Sequence, residues 1–156
     1  MKLTLETAKK LYNDKTTQDW FKKQLETEFS KQLLKKFDYR DIKTFNDACE
    51  ACGTTEAEFN AKFEKLDLDT LSYEKLKIVF KAVNNGWTPD WTNPNEYKYF
   101  PWFEVVSSGA GLSYCDCHYS NTHTHVGSRL CTDKSEKAEF LGRQFKEIFK
   151  GYMLLK

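Results

Sequence analysis

The sequence predicts an α+β fold: an N-terminal helical half of about five helices, an antiparallel sheet of about three strands, and a C-terminal helix. Three observations carry this. Apolar residues recur at helical spacing up to Gly86. They alternate in twos between Tyr97 and Cys131. Helical spacing returns after Asp133. The 156 residues suggest a single domain, 1–156, in which 1–86 form the helical half. Residues 87–156 then hold an aromatic seam, the sheet and the closing helix.

Thr4 can cap the first helix, with Leu5, Ala8, Leu11 and Tyr12 on one face. Thr16 with Asp19 opens the second in the manner of a capping box. Its stripe is Phe21, Leu25, Phe29 and Leu33, flanked by Trp20 and Phe37. Thr44 opens the third helix, and Gly53 stands at its C′ position. Thr55 with Glu58 opens the fourth, and Thr70 or Ser72 the fifth. Asn84-Asn85-Gly86 stops that last one. Cys49-x-x-Cys52 lies on the stripe of Phe45, with no preceding strand and no second CxxC. It reads as a pair of small apolar side chains, not a redox or metal pair. A DNA-reading helix-turn-helix over residues 44–66 is disfavoured, because its second helix starts Thr-Thr-Glu-Ala-Glu and would repel phosphates.

The seam, Trp87 to Phe103, holds three of the four tryptophans and all three prolines. Pro89 and Pro94 bar regular structure through Asn95. Two roles fit such a run. Trp87 and Trp91 can clasp the end of the helical layer, since large rings left bare form an apolar patch. Alternatively the rings form a stacking platform for a flat ligand. The two roles are compatible.

Tyr97 to Ser107 reads as an edge strand bulged or broken at Pro101. Ser107 to Gly111 is a hairpin loop. Leu112 to Tyr119 is a second strand and Thr124 to Cys131 a third, joined by a turn at Ser120-Asn121-Thr122. Cys115, Cys117, His118, His123 and His125 concentrate the metal-type ligands. On strands, Cys115 and Cys117 share a face, as do His123 and His125, which allows Cys2His2 coordination if the register aligns them. C-x-C is not a usual zinc spacing, so no metal or other cofactor is expected. Arg129 either clamps a phosphate or carboxylate beside a ring, or pairs with Glu104 or Asp116. Asp133 with Glu136 caps the last helix, whose face is Ala138, Leu141, Phe145, Ile148 and Tyr152. The apolar tail after it is docked or serves self-association.

With 24 basic and 23 acidic residues, the net charge of +1 argues against general nucleic-acid binding. No apolar run suits a bilayer, and the start lacks the apolar core of a signal peptide, so a cytoplasmic location is expected. Five cysteines fit a reducing compartment.

The runs GWTPDWTNPNEYKYFPWFEV, GSRLC (Gly127 to Cys131) and EFLGRQF, with LTLETAKKLYN and KTFNDACEACG nearer the start, carry a resemblance over most of the chain. They resemble a family of small uncharacterised proteins encoded by phages, prophages and mobile elements of gut bacteria. The resemblance implies a viral accessory or virion-associated protein in a bacterial host, and it carries no transferable chemistry.

No Ser-His-Asp signature, nucleotide-binding glycine motif or HExxH occurs, which favours a non-catalytic protein. The expected function is binding or sequestering a nucleotide-like planar anion on an aromatic and arginine surface. Its expected contacts are Trp87, Trp91, Tyr97, Tyr99, Trp102, Ser108 and Arg129. The alternative is a protein–protein module centred on the same rings, acting as a virion component or a host-factor binder.

Overall fold

A computed structural model describes residues 3–29, 31–105, 111–121 and 129–154. The chain divides into two compact units, Met1–Asp38 and Tyr39–Lys156.

The first unit contains α1 (Leu5–Asn13), α2 (Asp19–Glu28) and α3 (Lys31–Leu34). Thr4 caps α1 by accepting from the Thr7 N–H. Ala8, Leu25 and Leu34 are its buried centre, with Leu11, Tyr12, Phe21 and Phe29 against them. The single helix expected from a Thr16 cap to beyond Leu33 instead starts at Asp19, because the Thr16 N–H and hydroxyl donate to Asp14 Oδ1 and Gln18 stands at the cap position without a side-chain bond. It ends at Glu28, because Phe29 takes an extended backbone. Beyond it, the Asn13 amide donates to the Leu34 carbonyl at 2.7 Å and accepts from the Lys36 N–H at 3.1 Å. One side chain thereby ties the end of α3 to the end of α1.

The second unit opens with a 3-10 turn, Tyr39–Asp41. α4 (Phe45–Ala51) and α5 (Glu56–Phe63) follow. Both start with complete capping boxes, Thr44 with Asp47 and Thr55 with Glu58. α6 (Leu68–Asn84) begins earlier than Thr70 or Ser72, because Asp67 supplies the cap by accepting from the Thr70 N–H. Asn85, at φ 46°, turns the chain into the left-handed conformation that ends it. Among the described residues, six α-helices therefore precede the sheet where five were expected.

β1 (Lys98–Val105) and β2 (Leu112–Ser120) form an antiparallel pair. The register sets Tyr99 opposite Tyr119 and Trp102 opposite Asp116, then shifts by a bulge between Trp102 and Phe103. Of the expected third strand, Thr124 to Ser128 lie outside the described residues. Among the described residues the chain returns beside β1 at Thr132, which exchanges both backbone bonds with Tyr99 at 2.8 and 2.9 Å. Among the described residues the sheet thus has two strands and a bridge, not three strands. Pro101 is two positions from Tyr99, so its missing N–H faces away from β2 and β2 loses no bond.

The single closing helix is two, α7 (Ser135–Gln144) and α8 (Lys146–Met153), divided at Phe145. Asp133 does not cap α7. It pairs with Lys137 Nζ at 2.6 Å, and Lys134 occupies the cap position. α7 lies on both strands and α8 packs along α6. Leu76, Val79, Phe80 and Val83 of α6 meet Leu112, Leu130, Leu141, Phe145 and Phe149 in the core. No described helix is long and apolar enough to cross a membrane.

Candidate recognition surface

The loop from Trp87 to Tyr97 is built on a buried cation. Lys98 has no exposed surface, and its ammonium donates to the carbonyls of Asn93 (3.2 Å) and Glu96 (2.9 Å). It also pairs with Glu96 Oε1 at 3.3 Å and lies 5.4 Å from the centroid of the Trp91 ring. A buried ammonium is stable only with such partners, so the loop must close around it. Glu96 Oε1 also accepts from the Asp90 N–H at 2.9 Å. Asp90 Oδ1 accepts from both the N–H and the hydroxyl of Thr92, which holds its carboxyl below the usual range. Asn121 at the end of β2 donates to the Pro94 carbonyl at 2.7 Å. Trp91 and Trp87 are half-buried, and the Trp91 N–H is buried with no protein acceptor among the described residues.

Other rings face solvent. Tyr97, Trp102 and Tyr119 are 48%, 49% and 53% exposed. Tyr97 meets Tyr119 edge-on at 4.9 Å, and Tyr99 closes the group at 6.3 and 6.0 Å. His118 stacks beside Tyr119 at 5.9 Å and lies 5.6 Å from Trp102. The rings therefore run continuously from Tyr97 through Tyr119 and His118 to Trp102. They pass over the edge of β2, because Tyr119 and Trp102 project to opposite faces of the hairpin. His118 Nδ1 lies 3.1 Å from the Tyr119 carbonyl, and Asp116 Oδ1 accepts from the Cys117 N–H at 2.8 Å. Both contacts occupy backbone groups that turn away from β1.

Of the residues expected to bind, Tyr97, Tyr99 and Trp102 enter this run, while Trp91 sits on Lys98. Arg129 is exposed and makes no ring or ion-pair contact among the described residues, with Glu104 and Asp116 included. Ser108, His123 and His125 lie outside the described residues. Sequence reasoning missed Tyr119, and it considered His118 only among the metal-type ligands. The signal available was the hairpin register, which puts Tyr119 across from Tyr99.

The bulge also separates the C-x-C pair, which the alternation had put on one face. Cys115 Sγ turns to Glu104 Oε2 at 3.7 Å. Cys117 turns to α7, where its thiol and carboxylate oxygens of Asp116 and Glu139 lie within 4.8 Å of one another. Burial, then Asp116 and Glu139, push the Cys117 thiol up. Beside it the hydroxyl of Tyr114 is buried without a partner among the described residues, and burial with Glu139 raises it to about 12. The Arg143 guanidinium lies over the Tyr114 ring at 4.8 Å.

The fold and this surface define a small α+β protein that presents a run of partly exposed rings along a strand edge. No family model, curated protein or solved structure matches the chain.

Proposed function

We propose that the protein is a non-catalytic interaction module, an accessory protein of a phage or mobile element, whose ring-lined β2 edge is the centre of a protein–protein contact. The carrying observation is that Tyr97, Trp102 and Tyr119 are each about half exposed and joined into one run through His118. Trp and Tyr at such positions are characteristic interface anchors. The phage setting rests on the family resemblance of the aromatic run and places the action in a bacterial host or on a virion.

The test uses Trp102→Ala and Tyr119→Ala together. Cross-linking and affinity capture from infected cells should recover a defined partner with the parent protein and lose it with the double variant, while thermal melting stays unchanged. Light scattering separates a second copy from a different partner. Equal recovery by both forms would overturn the reading.

A nucleotide-like anion is the second reading, favoured by the exposed Trp102–His118 ring pair as a stacking platform. The tyrosine rings favour the first. They contact one another at 43° to 88°, whereas a sandwiched base needs parallel rings about 7 Å apart, twice the normal contact distance. Titration calorimetry with a nucleotide panel decides it. No heat from any member, and none lost on Arg129→Ala, ends that reading.

A further inference from the structure

The ring-lined edge has a charge of its own. Asp116 and Glu139 lie together at β2, and Glu136 is one turn earlier on α7. Glu104 stands two residues from Trp102 on the same face of β1. None of these four carboxylates has an ion pair among the described residues. Arg143, one turn beyond Glu139, lies over the Tyr114 ring instead of pairing with it. Burial first, and then Asp116 and Glu139, hold the Cys117 thiol up, and burial first, then Glu139, does the same for the Tyr114 phenol. A negative strip with rings alongside is complementary to side chains that combine a cation with an aliphatic stem.

Resting on the interaction reading above, we infer that the β2 edge is a docking strip for a partner segment rich in arginine or lysine. Its cations lie against Asp116 and Glu139, and its stems and guanidinium planes lie on Trp102 and Tyr119. The recognition is through side chains and not by strand addition. One outward backbone group of each residue, the Cys117 N–H and the Tyr119 carbonyl, is already engaged, by Asp116 and His118, which interrupts the edge ladder a new strand would need. Arginine suits the site better than lysine, because its planar group both stacks and bonds a carboxylate in bidentate fashion.

The probes are three blocked pentapeptides, Gly-Arg-Gly-Arg-Gly, Gly-Leu-Gly-Leu-Gly and Gly-Glu-Gly-Glu-Gly, followed by amide and indole NMR signals of the full chain. The arginine peptide is expected to move the Trp102 indole and the Cys117 and Tyr119 amides. Asp116→Asn with Glu139→Gln should weaken it at least fivefold, as should a rise in salt from 0.05 to 0.5 M. Unchanged binding in that double variant overturns the inference, as does binding of the arginine peptide elsewhere on the chain. If the leucine peptide moves the same signals equally well, the surface still recognises protein and only the basic partner fails. If no peptide moves them, the basic partner fails, and the capture experiment with Trp102→Ala and Tyr119→Ala still decides the interface. A Zn2+ titration is the control. Stoichiometric shifts at Cys117 and Glu139 with zinc, and none with arginine, would assign the carboxylates to a metal and overturn the inference.

Discussion

The Lys98 ammonium lies 5.4 Å from the centre of the Trp91 ring, inside a loop whose carbonyls and one carboxylate converge on it. This contact holds the aromatic loop against the start of β1. Lys98→Met removes the charge and leaves the part-buried bonds to the Asn93 and Glu96 carbonyls without their donor. The expected loss is about 3 kcal/mol, the scale of an interrupted buried charge network. Urea unfolding measures it, and Trp fluorescence should shift to the red as Trp91 loosens. A loss under about 0.5 kcal/mol, within the range of ordinary surface changes, would show that the lysine does not organise the loop.

Cys131 is 1% exposed, and burial raises its thiol from 9.0 to about 12. A folded value above the unfolded one means that the folded chain keeps its proton longer. That stability is complete below pH 9 and is lost as pH climbs toward 12. The loss approaches about 4 kcal/mol, at 1.36 kcal/mol per unit. Cys131→Ala should flatten this part of the stability–pH curve, read by denaturant unfolding at pH 8 to 11. Parallel curves for the two proteins would refute the assignment.

The thiols should also differ in reactivity. Cys115 is exposed, Cys117 half-buried, and Cys49 and Cys131 buried. Alkylation at pH 8 followed by mass spectrometry should modify Cys115 first. Cys117 should lag, because burial and two carboxylates oppose its thiolate. Cys49 and Cys131 should react only on unfolding. Early labelling of Cys131 would contradict its position.

Gly142 of α7 lies against the sheet. A Cβ there would stand 2.8 Å from Pro101 Cβ and closer still to the Tyr114 ring. Gly142→Ala gains roughly 1 kcal/mol of helix propensity. Overpacking costs roughly 1–3 kcal/mol, and here it meets both a ring and a strand proline. The net effect should be a lower melting temperature. A rise would mean that α7 can lift from the strands without loss.

Trp102→Ala should alter stability by no more than about 0.5 kcal/mol, since half the indole is already in water. Truncating the neighbouring Phe100, 1% exposed on the same face of β1, should cost about 3–5 kcal/mol. Two aromatic residues two positions apart are thus separated by melting experiments into an exposed surface ring and a core ring.

Much of the helical part was legible in the sequence because its determinants are local. Thr4, Thr44 with Asp47, and Thr55 with Glu58 close hydrogen bonds within three residues, and Asn85 ends α6 where the Asn-Gly pair indicated. The same local rule misled at Asp133, where Lys137, four residues on, took the carboxylate from the helix cap. It also misled at Phe29 and Phe145, because apolar periodicity continues through a break in the backbone. The ring run was half legible. Tyr97, Tyr99 and Trp102 stand out by composition, whereas Tyr119 and His118 join them only through the pairing of β1 with β2.

By itself, then, the sequence determined an α+β chain with capped helices, a hairpin after the Pro89 to Pro94 stretch and an unusual density of rings. Tertiary structure alone decided that Trp91 lies on a buried lysine, that Trp102 stays in solvent, and that a bulge turns Cys115 away from Cys117. Caps and turns are fixed by atoms a few residues apart. Exposure and strand register depend on residues brought together from distant parts of the chain, and a one-residue shift in register exchanges the two faces of a strand.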